Sequence, residues 1–252
     1  MLYRLLITGL FSGAVAGVIV TVVHLVLVTP LIFEAEQFEN PVAGPTHVTV
    51  AGTQESPIAS NIQSGGGHTH DAWEPADGIE RTSFTLLSNL LTTFALGLLM
   101  AMALTLYGRP ISVIQGLAWG SFGFLAFALL PSLGLPPELP GAAVGDLEDR
   151  QIWWLATAFG SAGGFAALVI GTRWTTRIAG ILVILAPHVI GAPHPIKDEV
   201  GLAPPELAAH FAVNSLFSSL VMWLVIGATI AYVGLRMDAK QHSGTRAGKT
   251  IS

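Results

Sequence analysis

Six apolar stretches dominate the chain, and shorter polar segments separate them. The stretches run approximately over residues 5–33, 84–107, 111–133, 152–172, 178–192 and 208–235. A helix needs roughly 20 apolar residues to cross the hydrocarbon core of a bilayer, so the first and last stretches are long and the fifth is short. The pattern predicts an all-α, polytopic membrane bundle of about six transmembrane helices.

The charged residues are distributed unequally between the two sides that these spans define. Because Lys and Arg are retained in cytoplasmic loops, their positions place the N-terminus inside. The inner basic residues are then Arg4, Arg109, Arg173, Arg177, Arg236, Lys240, Arg246 and Lys249. Of the 16 acidic residues, only Asp238 falls on that side. The spans therefore pair as three hairpins with both termini cytoplasmic, in a multi-pass protein of the bacterial inner membrane.

The same pattern divides the chain into one large domain and a tail. We expect a single transmembrane domain over residues 1–235 and a cytoplasmic tail over residues 236–252. Residues 40–72 are rich in Pro, Gly, Ser and Thr, which is typical of a flexible loop, here on the outer side. If the short fifth segment is re-entrant, the C-terminus lies outside instead, against the basic character of the tail.

Composition supports the membrane assignment and excludes several functions. The chain is 52% hydrophobic and 11% charged, whereas soluble domains average about 25% charged residues. Cys is absent, which excludes disulfides and thiolate metal sites. No basic cluster suits nucleic acid, and no H-E-x-x-H, G-x-S-x-G or dinucleotide fingerprint is present. We expect that the protein is not an enzyme, binds no cofactor tightly and has no nucleic-acid partner.

Small residues and prolines recur at regular places in the spans. Each odd-numbered span carries a proline near its outer end, namely Pro30, Pro131 and Pro187. Ladders that favour close helix packing occur at Gly9/Gly13/Gly17, Gly116/Gly120 and Gly160/Gly164. Residues 77–81 resemble residues 146–150, which suggests an internal repeat, although ordinary helix-start chemistry explains the likeness more simply.

Polar side chains within the spans are the first candidates for function, because burying them in a membrane is costly. His24, Asn89, His188 and His210 all fall in the outer halves of their spans, and no ionisable residue falls in an inner half. The arrangement predicts a polar cleft that opens to the outside.

Imidazole and carboxylate groups without thiolate suit Co²⁺, Ni²⁺ or Zn²⁺ as a transported ligand. The candidate ligands are His24, His188, His194, His210, Glu34 and Glu36, with His68 and His70 in the outer loop. For His24 alone, a hydrogen bond between helices is the simpler explanation. For His68 and His70, the simpler explanation is that they belong to a solvent-exposed polar loop.

Several stretches resemble the CbtA-type cobalt transporter subunits. They are Thr-Pro-Leu-Ile-Phe-Glu-Ala-Glu at 29–36, Asp-Gly-Ile-Glu-Arg-Thr at 77–82, Leu-Ala-Trp-Gly at 117–120, Leu-Pro-Pro-Glu-Leu-Pro-Gly at 135–141, the segment 146–154 and Pro-His-Val-Ile-Gly-Ala-Pro at 187–193. The resemblance implies a multi-span bacterial membrane protein that imports cobalt for cobalamin synthesis beside a small, single-span, His-rich companion. It assigns no ligand residues, and the sixth span predicted here departs from the family's description, which has fewer.

Two functions follow from these observations. The first is an inner-membrane subunit of a divalent-cation uptake transporter, in which outer histidines and carboxylates capture the metal and the bundle passes it inward. The second is a non-transporting accessory or assembly subunit whose outer cleft binds another protein. The oligomeric state stays open.

Overall fold

The computed structural model describes residues 2–39, 75–194 and 201–249, and within these ranges the chain is helical without strands. Helix α1 comprises Leu2–Val23, the π-helical turn His24–Val28 and Thr29–Glu39. Helix α2 spans Ile79–Tyr107, and α3 comprises Val113–Phe124, the π-helical turn Leu125–Leu129 and Leu130–Ser132. Helices α4, α5 and α6 span Leu147–Ile170, Trp174–Ile190 and Pro205–Lys249.

Length and hydropathy confirm the predicted membrane bundle. In the described residues, five helices are long and apolar enough to cross a membrane, and α5 is a shorter apolar helix of 17 residues. Several helices begin outside the predicted apolar stretches, because polar residues also start helices well. Asp146 caps α4 by accepting hydrogen bonds from the backbone N–H groups of Glu148 and Asp149 at 2.9 and 3.3 Å.

The helices form a central group and a peripheral pair. Helix α1 packs against α2 and α6, and α3 packs along α6. Helix α4 contacts the π-helical turn of α3 and packs against α5. We call the end of the bundle that contains Arg4 the inner end, after the predicted orientation.

Glycines determine how closely these helices approach. A Cβ atom on Gly13 of α1 would lie 2.7 Å from the carbonyl oxygen of Thr93 in α2. One on Gly116 of α3 would lie 2.4 Å from the carbonyl oxygen of Gly227 in α6, and one on Gly164 of α4 would lie 2.7 Å from that of Gly180 in α5. The predicted ladders therefore lie at close helix contacts, although a Cβ on Gly160 would meet only Val183 at an ordinary distance of 3.6 Å.

Two of the three prolines follow a π-helical turn at the same distance. The backbone N–H of Thr29 bonds to the carbonyl of His24, and that of Leu130 bonds to the carbonyl of Leu125. Each bond closes a wider, π-helical turn. Pro30 and Pro131 each lie two residues after the last residue of their turn. Proline removes a backbone donor from the helix, and the wide turn accommodates that loss.

Each of the first two hairpins also carries an ion pair at its outer end. Arg81, at the start of α2, pairs with Glu36 of α1. Arg150, at the start of α4, pairs with Glu138 in the segment before it. The matching positions of turn, proline and ion pair strengthen the likeness between the α1–α2 and α3–α4 hairpins.

Candidate functional site

A histidine, an amide and a hydroxyl meet inside the bundle between α1 and α2. The side-chain nitrogen of Asn89 donates a hydrogen bond to Oγ1 of Thr21 at 3.0 Å and lies 3.4 Å from Nδ1 of His24. Thr21 is buried and His24 is half-buried. His24 and Asn89 were both predicted as polar residues in the outer halves of their spans, and the structure brings them together.

The π-helical turn begins at His24 itself. Such turns add one residue to a helix and occur often at functional sites, because they change where side chains and carbonyls point. Here the turn begins about two helical turns after Gly17, the last residue of the glycine segment of α1.

Nearer the inner end, α1 carries a second set of polar side chains, Arg4, Thr8 and Ser12, at steps of four residues. The apolar residues 13–20 separate this set from Thr21 and His24, and Ser12 and Thr21 lie about half a turn apart around the helix. Thr8, Ser12 and Thr21 are all buried. Their hydroxyls donate to carbonyls of α1 itself at 2.7–3.2 Å, which leaves the oxygens able to accept.

Residues of α2 lie opposite these hydroxyls. A Cβ on Gly97 would lie 3.1 Å from Oγ of Ser12, and one on Gly17 would lie 2.7 Å from Oγ1 of Thr93. We call Arg4, Thr8, Ser12, Thr21 and His24 the α1 polar residues.

His188 lies in a second environment at the outer end of α4 and α5. Its ring meets the indole of Trp153 edge-on, with centroids 5.8 Å apart, and the indole nitrogen donates to the carbonyl oxygen of Pro187 at 3.1 Å. The Nε2 atom of His188 is buried and has no hydrogen-bond partner among the described residues. A buried imidazole nitrogen without a hydrogen-bond partner is a candidate ligand for a cation.

The remaining predicted ligands occupy exposed or already paired positions. His194, His210 and Glu34 are exposed. Glu36 pairs with Arg81, which also bonds to Asp77 at 3.2 Å and stacks over the ring of Phe33 at 4.5 Å. The loop ligands His68 and His70 lie outside the described residues.

Within the part of the chain that the structure describes, no three His, Asp or Glu side chains come together in a group that could hold a metal ion. His24 and His188 therefore lie in separate polar environments. The proposed ligand set is distributed over the outer half of the bundle.

Sequence reasoning missed a polar feature at the inner end. The guanidinium of Arg4 pairs with the carboxylate of Asp238 at 2.6 Å, which links α1 to α6. A cavity of about 630 Å³ opens beside this pair, between α1, α2 and α6. Both residues lie just beyond the predicted spans 5–33 and 208–235, so hydropathy alone did not place them on the membrane helices.

A second cavity, of about 280 Å³, is apolar. Its walls include Leu99, Trp119, Phe122, Phe165 and Trp223. It offers no ligand to a cation, and we assign the chemistry of the bundle to the polar groups above.

A comparison with protein families gives this architecture a context. The family model described as "Probable cobalt transporter subunit (CbtA)" matches residues 2–234. The chain belongs to the CbtA family. Nearly the whole described bundle of this CbtA protein lies within the match, which confirms the resemblance seen in the sequence. The comparison with curated proteins and the comparison with solved structures each found no match.

Membership fits the observed architecture of the CbtA chain. Its five candidate membrane helices make it a multi-pass membrane protein, and the family's description as a probable cobalt transporter subunit implies cobalt as the transported substrate.

Proposed function

We propose that this chain is the membrane subunit through which a divalent cation, cobalt, enters the bacterial cell. The observation that carries the proposal is the contact between His24, Asn89 and Thr21 inside the bundle. A polar group within a membrane helix is costly, and its retention favours a role in a substrate pathway. The family match supports cobalt as the substrate.

Capture begins at the outer face in this proposal. Glu34 and His210 are exposed near the outer ends of α1 and α6, and His194 is exposed in the segment after α5. The loop residues His68 and His70 extend the same chemistry. Imidazole and carboxylate ligands suit Co²⁺, and Ni²⁺ or Zn²⁺ have similar preferences. Glu36 joins this set only after it releases Arg81.

The captured ion then moves to the half-buried imidazoles of His24 and His188. Because the described residues supply no group of three acidic or imidazole ligands, water molecules or a small companion subunit complete the coordination. The close glycine contacts between α1 and α2 leave no open channel between Ser12 and Thr21. Passage inward therefore requires these helices to move apart.

The topology of the proposal is the one that the charges predict. The transmembrane domain covers residues 1–235, with both termini and the tail 236–252 in the cytoplasm of the bacterium. The exposed outer residues then face the side from which the metal arrives.

Radioactive Co²⁺ accumulation in cells that lack their own cobalt uptake tests this function. We expect wild-type protein, expressed with its companion where one is needed, to restore uptake, and His24→Ala or Asn89→Ala to reduce it by about tenfold or more. Ser83→Ala is the matched control, since its exposed hydroxyl bonds only to its own helix, at the carbonyl of Ile79.

Protein abundance in the membrane is measured for every variant, so that a loss of transport can be distinguished from a loss of protein. Equal uptake by wild type and both site variants would contradict the proposed path. No uptake under any condition, with the companion present, would instead favour the accessory or assembly role.

A further inference from the structure

The cavity at the inner end opens where three helices diverge. Helix α1 packs against both α2 and α6, whereas α2 and α6 contact each other much less, so a wedge remains between them. The cavity of about 630 Å³ occupies this wedge. Ligand pockets commonly measure about 300–1,000 Å³, so the size of this one suits a small molecule or one part of a larger molecule.

The walls of the cavity are mainly apolar. Aliphatic side chains come from all three helices and from the α2–α3 connection, namely Leu5, Leu104, Ile111, Ile230 and Leu235. The hydroxyls of Thr8 and Thr105 also lie there, but both donate to carbonyls of their own helices, at 2.9 and 2.7 Å. Most of the lining therefore favours contact with hydrocarbon.

The turn between α2 and α3 places a cationic side chain on this cavity. Gly108 ends α2 in the left-handed conformation, with a φ of 70°, and its N–H bonds to the carbonyl of Leu104 at 3.2 Å. The next residue, Arg109, lines the cavity, is exposed and lies over the ring of Tyr107 at 5.6 Å. Among the described residues no Asp or Glu pairs with Arg109. Its positive charge is therefore available to a ligand.

The charged groups of the lining favour an anion. They are the guanidinium groups of Arg4 and Arg109 and the carboxylate of Asp238, which give a net charge of +1. Arg4 pairs with Asp238 at 2.6 Å and donates to the carbonyl oxygen of Gly234 at 3.2 Å. A guanidinium carries more donors than these two contacts use, and its planar fork suits the oxygens of a phosphate.

We infer that this cavity binds an anionic phospholipid of the leaflet at the inner end of the bundle. Its phosphate contacts Arg109 and the remaining donors of Arg4, and the first carbons of its acyl chains contact the aliphatic walls. Basic pockets between membrane helices recognise anionic headgroups in this way.

A phospholipid fits the cavity better than a free phosphate ion does. Only the lipid matches both the guanidinium groups and the aliphatic walls, and the cavity lies at the end of helices long enough to cross a bilayer, where headgroups lie. A zwitterionic lipid brings a positive group as well, which the net positive lining repels. The inference requires no metal and is independent of the proposed function.

The test is binding of dioctanoyl phosphatidylglycerol to the purified full-length protein in a non-ionic detergent, measured by native mass spectrometry. We expect it to bind about fivefold or more tightly than dioctanoyl phosphatidylcholine, and Arg109→Gln to remove that preference, as one basic side chain near a lipid phosphate does. Arg173→Gln is the matched control, because it removes the same charge from an exposed side chain at the start of α5 that does not line the cavity.

Thermal unfolding supplies a second readout. A ligand that binds the folded protein raises the unfolding midpoint, so phosphatidylglycerol should stabilise the wild type and Arg173→Gln more than Arg109→Gln. Inorganic phosphate at millimolar concentration should neither displace the lipid nor reproduce this stabilisation.

Three results would overturn the inference. They are equal affinity of the wild type for the two lipids, equal losses for Arg109→Gln and Arg173→Gln, and displacement of the lipid by inorganic phosphate. Each protein is first shown to be monodisperse. If Arg109→Gln does not fold, the comparison of the two lipids and of phosphate on the wild type still decides.

Discussion

The indole nitrogen of Trp153 donates a hydrogen bond to the carbonyl oxygen of Pro187 at 3.1 Å, so that α4 holds α5 directly before His188. Trp153 is 7% exposed, and its ring also contacts the imidazole edge-on. One tryptophan thus bonds to the backbone directly before a proposed cation ligand and contacts the side chain of that ligand. Three of the predictions below depend on contacts of this kind between helices.

Trp153→Phe should lower the free energy of unfolding by about 1 kcal/mol, the size of one net hydrogen bond. The loss stays small because the carbonyl of Pro187 also accepts from the backbone N–H of Gly191 at 3.0 Å. Chemical unfolding in detergent measures the effect. The neighbouring Trp154 is 36% exposed, and Trp154→Phe should change stability by less than about 0.5 kcal/mol. An equal effect of both substitutions would contradict the structural role of the bond.

His188→Gln should reduce Co²⁺ uptake by about tenfold or more, because it removes a buried imidazole nitrogen that no described residue satisfies. Uptake is compared at equal protein abundance. Val189→Ala serves as the control, since the adjacent side chain is 85% exposed. Uptake that survives His188→Gln would remove His188 from the proposed path.

Gly13→Ala should destabilise the bundle by about 1–3 kcal/mol, as overpacking does elsewhere. Its new Cβ would lie 2.7 Å from the carbonyl oxygen of Thr93, so α1 and α2 must separate. Gly163→Ala is the matched control, because nothing lies within 4 Å of its added Cβ. That substitution should be neutral or stabilising, since alanine favours a helix by up to about 1 kcal/mol over glycine. Similar thermal midpoints for both variants would contradict the close packing described here.

A double-mutant cycle on Arg81 and Glu36 should give a coupling of about 1 kcal/mol, the upper range for a partly exposed ion pair. The two side chains are 27% and 37% exposed, and Arg81 also bonds to Asp77. We expect Glu36→Gln to change Co²⁺ uptake far less than His24→Ala, because Arg81 already neutralises that carboxylate. Loss of uptake as large as that of His24→Ala would make Glu36 a primary ligand.

The helices could be predicted from the chain because the apolar stretches are long and every backbone group must be satisfied within a bilayer. Their ends were less certain, since acidic residues such as Glu80 and Glu148 also begin helices and carry them beyond the apolar stretch. The charge asymmetry gives an orientation, and it stays a prediction.

The contacts that build the candidate sites depend on which helices pack together. His24 and Asn89 were both recognisable as polar positions, but their meeting depends on the α1–α2 contact and on the π-helical turn. Arg4 and Asp238 lie near opposite ends of the chain, and no local pattern connects them. Such relationships come from tertiary packing, which single-sequence periodicity does not contain.

Helix α5 has 17 residues and packs mainly along α4, at one edge of the bundle. At about 1.5 Å per residue it measures about 25 Å, some 5 Å less than a typical hydrocarbon core of about 30 Å. Lipids beside this edge must shorten to match it, while those around the longer helices need not. If α5 crosses the membrane, the protein therefore deforms the bilayer on one side only, and it should distribute towards thinner membrane or associate with neighbours at that edge.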